Sequence, residues 1–321
     1  MPDPARPRPP RGRQAAPARA RQPDRIEAAG PLGSVIFREQ VKSARGDWYQ
    51  LGGFAFGTGS NALIMLNRVA FYDPQRQKLD DGGKRALIRW ACRDKLGQDD
   101  GLVADVAHRR AAMLRALAAR SRHCVRLRVQ PEWRLAVGLG NKANAHEIGL
   151  ALHGTYGWPV IPGSALKGMT AAWAASSDAD PRDVWRVLGA PRRDVPLPPA
   201  GLGDQGKPPE PAKGTVCFLD AIPDEQPVAV EADVFTPHVK PYYDGMARPG
   251  GTDVPPAEYH NPVPLTFLTV CGAYVVDLYG KSDKDVRFAA DWLMRAGDEL
   301  GAGAKTAAGY GYLSAGREGP P

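Results

Sequence analysis

Apolar residues recur at helical spacing through the first third of the chain. Asn61 stands before ALIMLNRVAFY as a capping residue, and Asp80 to Gly83 precede KRALIRWACRDKL. Leu102 to Arg120 repeats Ala, Leu and Val every three to four positions, so three helices are predicted here. From Trp133 the texture changes. WRLAVGL reads as a strand, the Pro-punctuated WPVIPG as strand-like, and SALKGMTAAWAAS as a helix with Ser164 as its N-cap. GTVCFLDA and VAVEADVF read as strands, and PLTFLTV and AYVVDLY as a hairpin turning at Cys271-Gly272. Asp283 to Leu300 forms an amphipathic helix pattern with Val286, Ala289, Ala290, Leu293 and Leu300 on one side, and GYGYL supplies a last strand. Strand, helix, strands, helix, strand is the order of a ferredoxin-like or RRM-like split βαβ core. The expected class is α+β, with an inserted hairpin, long loops and an N-terminal helical segment.

Proline divides the chain. Of 31 prolines, seven fall in residues 1–25, seven in 191–213 and five in 247–264, leaving the rest free for regular structure. The first stretch has nothing to bury and is expected to be a disordered Arg/Pro-rich tail. The expected organisation is that tail (1–25), a mainly helical segment packed on the core (26–130), an RRM-like domain (131–315) and a C-terminal tail (316–321). The domain carries insertions at 191–213 and 235–264.

Charge adds less than its total suggests. The 321 residues hold 42 Lys+Arg against 35 Asp+Glu, a formal +7, but residues 1–25 carry seven Arg against Asp3 and Asp24. That is a local +5, which leaves +2 for residues 26–321, so anion binding must be argued from placement. Cys92, Cys124, Cys217 and Cys271 are isolated and suggest neither a zinc site nor a disulfide framework, which fits a reducing compartment. The tail lacks the apolar core of a signal peptide, and the longest apolar run, Val263 to Val276, is too short to span a bilayer. A soluble cytoplasmic protein without membrane contact is expected.

Two glycine-rich motifs carry candidate chemistry. In Gly301-Ala-Gly303-Ala-Lys305-Thr306-Ala-Ala-Gly309-Tyr310-Gly311, glycines let backbone N–H groups approach a phosphate, Lys305 adds charge and Thr306 a hydroxyl. The same glycines also suit a ligand-free helix C-cap and bulged strand entry. A Walker A loop is excluded, because Ala304 and Glu299 stand where that motif needs glycine. In the second motif, Gly154 to Gly168, Ser164 and Lys167 place a hydroxyl and a cation at the positive end of a helix, where an oligonucleotide phosphate fits; a plain cap with a surface lysine is the alternative. Ser-x-x-Lys also opens the β-lactamase signature, but its Ser-Asp-Asn partner is missing.

Other clusters are less complete. Asp220, Glu231 and Asp233 would suit a divalent ion or a solvated strand face, the second being favoured, so no metal or other cofactor is expected. His238, Lys240, Tyr242 and Tyr243 gather before a Pro/Gly loop and suit either metal-independent RNA cleavage or gripping of RNA; without a second His nearby, binding is favoured. Arg109, Arg110, Arg115, Arg120, Arg122, Arg126 and Arg128 form a basic run facing solvent, RNA or another subunit.

Taken in order, several segments resemble the RAMP superfamily, and within it the sixth-subunit family of the type III-B CRISPR Cmr effector complex. They are Trp133–Gly140, Glu147–His153, Tyr156–Gly168, Phe218-x-Asp220-Ala221-x-Pro223, Asp233-x-x-Thr236-Pro237-His238 and Gly301–Gly311. The resemblance spans about residues 133–313. It implies an RRM-like core that holds the 3′-side of a guide RNA (crRNA) at one end of a helical stack, in contact with other Cmr RAMP subunits, the small helical subunit and target RNA. The matching RNA-facing residues are Ser164, Lys167, Gly301, Gly303, Lys305 and Thr306, with Gly309 and Gly311 completing the loop. His238 and Lys240 would open a thumb-like element beginning at Phe235. Such complexes cut target with a different subunit, so the resemblance implies no catalytic residue and no enzyme here. The alternative is a metal-independent RAMP endoribonuclease acting on guide RNA precursor.

Overall fold

A computed structural model describes residues 27–29, 49–51, 54–56, 61–68, 70–73, 78–79, 81–140, 146–189, 212–246, 251 and 254–318. The Arg/Pro tail 1–25, most of the 191–213 insertion, part of the 247–264 loop and residues 319–321 lie outside them. Short antiparallel pieces come first: β1 (Glu27–Ala29), β2 (Tyr49–Leu51), β3 (Phe54–Phe56), β4 (Ala70–Asp73) and β5 (Lys78–Leu79). Helix α1 (Ala62–Arg68) starts as expected, with the Asn61 side chain accepting from the N–H groups of Leu63 at 3.0 Å and Ile64 at 3.3 Å. Helices α2 (Asp81–Arg93) and α3 (Asp100–Ala118) follow, the latter capped by Asp99 through the Leu102 N–H.

The central sheet is antiparallel throughout. Its strands β6 (His123–Pro131), β7 (Val216–Phe218), β11 (Tyr274–Gly280) and β12 (Leu313–Arg317) lie in the order β12-β6-β11-β7, and β8 (Ile222–Pro223) continues the β7 edge against β11. Helices α4 (Gly163–Ser176) and α7 (Asp283–Glu299) cross its chain connections and pack on one face, with α5 (Pro181–Leu188) beside them. Alternation along the strands explains the layering. Leu127, Val129, Tyr274, Val276 and Leu278 meet Leu166, Val286, Ala289, Ala290 and Leu293 in one core, while Val275 and Ile222 point the other way.

That second face is covered. Val103 and Val106 of α3 pack with Trp158, Val160, Ile222 and Val275. Beside them the fully buried Asp277 of β11 holds Arg126 of β6 in a two-pronged pair at 2.8 and 3.2 Å and lies 3.5 Å from Arg110 of α3. Three members of the basic run, Arg110, Arg126 and Arg128, are therefore internal partners, the last pairing with Asp224 at 2.7 Å.

The sequence-based expectations are corrected at four places. The core's first strand is His123–Pro131, so a boundary at 130/131 cuts through the end of a sheet strand. WRLAVGL is not a strand, because its backbone serves three partners rather than one ladder. Leu135 bridges Val270, the carbonyls of Arg134 and Ala136 accept from Gly311 and Ala304, and that of Val137 accepts from Ala151. The expected hairpin 265–280 does not form either. β10 (Leu265–Cys271) pairs instead with β9 (Ala229–Phe235) in a separate two-stranded sheet, since both edges of β11 are taken by β6 and by β7 with β8. The inserted pair is thus β9 and β10, with α6 (Lys240–Met246) in the connection between them. The last strand begins at Leu313 rather than Gly309, because Gly309 and Gly311 turn through positive φ.

Candidate nucleic-acid interface

The chain between α7 and β12 folds back on itself and docks on residues 134–136. Ala302 N–H donates to the Gly311 carbonyl at 2.7 Å, Gly311 N–H to Arg134 at 2.8 Å and Ala304 N–H to Ala136 at 2.7 Å. The glycines serve this crossing. A Cβ on Gly303 would lie 2.5 Å from the Ala136 carbonyl oxygen, and one on Gly311 only 2.0 Å from that of Ala302. Much of the glycine signal is therefore structural. What the fold leaves over is chemically useful: among the described residues, the N–H groups of Gly303, Lys305, Thr306 and Ala307 have no hydrogen-bond partner and Lys305 has no carboxylate partner. Gly303, Ala307 and Gly309 are exposed.

An aromatic ladder supports the loop. Trp133 lies 4.7 Å from Tyr310, Tyr310 lies 5.7 Å from Phe267, and Phe267 lies 5.8 Å from Phe235 (ring centroids). The middle rings, Phe267 and Tyr310, are buried, whereas the ends are open, Trp133 at 51% and Phe235 at 37% exposure. A cation sits on each end: Arg134 is 5.2 Å from the Trp133 ring, and the Lys305 ammonium is 3.6 Å from the centre of Phe235. The sequence alone assigned no role to the rings of Trp133, Phe267 and Tyr310, and took Phe235 only as the start of the thumb-like element. A signal was present in Tyr310, a bulky ring set between two glycines, which suits an anchor inside a tight loop.

Arg134 also fixes two of the three carboxylates considered for a metal. It pairs with Glu231 and, at 2.8 Å, with Asp233, which also accepts from the Tyr310 hydroxyl at 2.7 Å. Burial pushes the Asp233 carboxyl up, but hydrogen bonds from Tyr310, the Val234 N–H and Arg134 outweigh it and hold Asp233 below its ordinary 3.8. Burial and the bond to Asp233 raise the Tyr310 phenol to about 12. A carboxyl whose folded pKa is depressed contributes stability that is full above its unfolded value and is lost as pH falls through the folded one. The urea midpoint of wild type should therefore exceed that of Asp233→Asn at about pH 6, and the gap should shrink below about pH 4. A gap that is constant with pH would show that the carboxylate charge does not anchor the loop.

The third carboxylate, Asp220, is used elsewhere. Ser164 is not the N-cap of α4: Pro162 occupies that position, and the Gly163 N–H donates to Asp220 Oδ1 at 2.7 Å. A carboxylate of the chain itself thus takes one donor at the helix's positive end, where a phosphate was expected. Ser164 is exposed and Lys167 half-buried one turn on. Both glycine-rich motifs lie at the end of the sheet where β6 stops and β11 and β12 begin, with no direct hydrogen bond between them among the described residues. His238 is exposed, Lys240 is paired with Asp244, and Tyr242 meets Tyr243 edge-on at 5.5 Å. No hydrogen bond joins His238 or Lys240 to either tyrosine among the described residues. Among the described residues no three or more His, Cys, Asp and Glu side chains gather as a metal site would need, and no helix is long and apolar enough to cross a membrane.

The fold is shared with a chain of a solved type III-B Cmr-beta structure. A chain in the cryo-EM structure of the type III-B Cmr-beta complex bound to cognate target RNA superposes with a TM-score of 0.54, at 18% identity over 74% of this chain and 72% of that one. Sequence comparison is more specific. The chain is a homologue of the CRISPR system Cmr subunit Cmr6 of Pyrococcus furiosus, 29% identical over 237 residues, which are 60% of this chain and 68% of the relative. The crystal structure of that Cmr6 aligns at 27% identity over 60% of this chain and 98% of its own, with a TM-score of 0.35, too loose for comparing site geometry. No family model matches the sequence.

Proposed function

We propose that this chain is the Cmr6-like RNA-binding backbone subunit of a type III-B CRISPR effector complex. It holds the 3′-side of the guide RNA through sequence-independent phosphate contacts. It also helps assemble the complex with other Cmr RAMP subunits and the small helical subunit, in cytoplasmic antiviral defence. The observation that carries this reading is the loop of a Cmr6 homologue in which Lys305 lacks a carboxylate partner beside four unpaired N–H groups, among the described residues. The strand order supports a ferredoxin-like, RRM-like split βαβ core: β6-α4-β7 and β11-α7-β12 interleave in one antiparallel sheet. Because α3 covers the sheet face on which RRM domains stack bases, RNA is assigned to the glycine-rich end instead. In this reading the chain itself is non-catalytic, and the pairing of Lys240 with Asp244 supports a gripping rather than a proton-handling part for that residue.

Purifying the assembled complex in EDTA tests the proposal. Wild type should retain intact guide-length RNA, and Lys305→Ala should lose occupancy several-fold and flatten the log K against log salt slope by about 0.7 per phosphate contact removed. Unchanged occupancy and slope would sink the phosphate contact, and RNA shortened by the purified chain alone would sink the non-catalytic assignment.

A further inference from the structure

Between the glycine-rich loop and the start of β10 lies a cleft of about 440 Å³, bordered by Lys84, Leu139, Glu147, Phe235, Phe267 and Lys305 among others. Its size is that of a pocket for one small molecule or one side group and is far too small for a nucleic-acid duplex or a protein helix. Leu139 and the two phenyl rings give it apolar walls, and Gly140 and Gly149 leave part of the wall without side chains. Two lysines and a single glutamate are among its lining residues, an excess of positive charge that an apolar peptide side chain would not need.

We propose that this cleft receives one unpaired nucleobase of the bound RNA, stacked on Phe235, while Lys305 leaves that ring for the adjoining phosphate. This rests on the RNA-binding reading above and adds a base-contacting subsite to it. Phe235 is the ladder's open end on the side of the cleft, and Phe267 meets it edge-on at 65°, which supports the ring as a platform. In the absence of RNA the Lys305 ammonium covers it at 3.6 Å, a cation–π contact and not an ion pair. The exchange is favourable on both sides. Stacking of a base on an exposed phenyl is worth more than an exposed lysine–phenyl contact, and the released ammonium gains a phosphate it can pair with. Recognition of this kind is indifferent to sequence, since every base has a π-face. It is not indifferent to whether a base is there.

That difference supplies the test. The purified full-length chain is titrated with a short oligouridylate and with an oligomer of the same length and charge made of abasic ribose phosphates. Wild type should bind the base-bearing oligomer roughly 5- to 100-fold more tightly. Phe235→Leu, which keeps apolar packing but has no π-face, should abolish most of that preference, and Phe235→Tyr should restore it. Equal binding of both oligomers by wild type, with loss of both in Lys305→Ala, would overturn the base subsite and leave the phosphate reading standing. No binding of either oligomer would remove the underlying reading. A preference that survives in Phe235→Leu, with a neighbouring Cmr subunit released from the assembled complex instead, would assign the cleft to a protein contact and end the proposal.

Discussion

Asp277→Ala should lower the stability of the folded chain by about 3–5 kcal/mol, more than any surface substitution and enough to move its melting temperature by on the order of 10 °C. Asp277 is fully buried, and its two partners expose only 11% (Arg126) and 16% (Arg110) of their side chains. Removing the carboxylate leaves two guanidiniums between α3 and the sheet that can neither neutralise nor reach bulk water without pulling the layers apart. The loss is large because a charge is stranded, and it does not measure what the triad contributes. Replacing all three residues with apolar side chains of similar volume should therefore recover much of the stability, although three groups have been removed instead of one. Thermal melts of the single and triple variants decide this. If Asp277→Ala melts within about 2 °C of wild type, the triad is wetter than its burial indicates. If the triple variant melts below the single one, the pairing itself contributes net stability.

The same triad shows where sequence reading stops. Arg110, Arg126 and Arg128 appear in the chain as part of one basic run, and a run of that kind reads as a single surface. Helix α3 and strand β6 fold that run onto the sheet, and the partners Asp277 and Asp224 lie about 100 to 170 positions away. No local pattern shows that three of the run's seven arginines are internally matched. Period alone was enough for α3, α4 and α7, whose faces are one-sided, and the Asn61 cap was legible because an Asx cap acts within three residues. It was insufficient for β10 and β11. Two apolar strands joined by Cys271-Gly272 look like a hairpin, and only competition for the edges of β11 decides that they enter different sheets. The site divides in the same way. Lys305 and the glycines were readable as a motif, whereas the Trp133 to Phe235 ladder joins residues from four separate segments and exists only once β9, β10 and the loop have been brought together.

The second large effect separates what the loop's glycines do. Gly311→Ala places a methyl carbon 2.0 Å from the Ala302 carbonyl oxygen, at a backbone φ of +81°. Both are unfavourable: positive φ alone costs an alanine about 1–2 kcal/mol, and the overlap must be relieved by breaking the hydrogen bond from Ala302 to Gly311. Because Gly311 also donates to Arg134, the damage reaches the Asp233–Tyr310–Arg134 anchor, and RNA retention should fall together with stability. Gly309→Ala has a similar φ, +88°, but nothing within 4 Å of the added carbon. It should cost only the conformational penalty of about 1–2 kcal/mol and leave the docked loop in place. Paired urea melts and RNA-retention measurements on the two variants make the comparison. Gly311→Ala should be the more destabilised by at least about 1 kcal/mol and should lose RNA, while Gly309→Ala keeps most of it. If Gly309→Ala loses RNA as completely as Gly311→Ala with little change in stability, the exposed turn at Gly309 approaches the phosphate directly, and the glycine-rich loop binds by close backbone contact more than through Lys305.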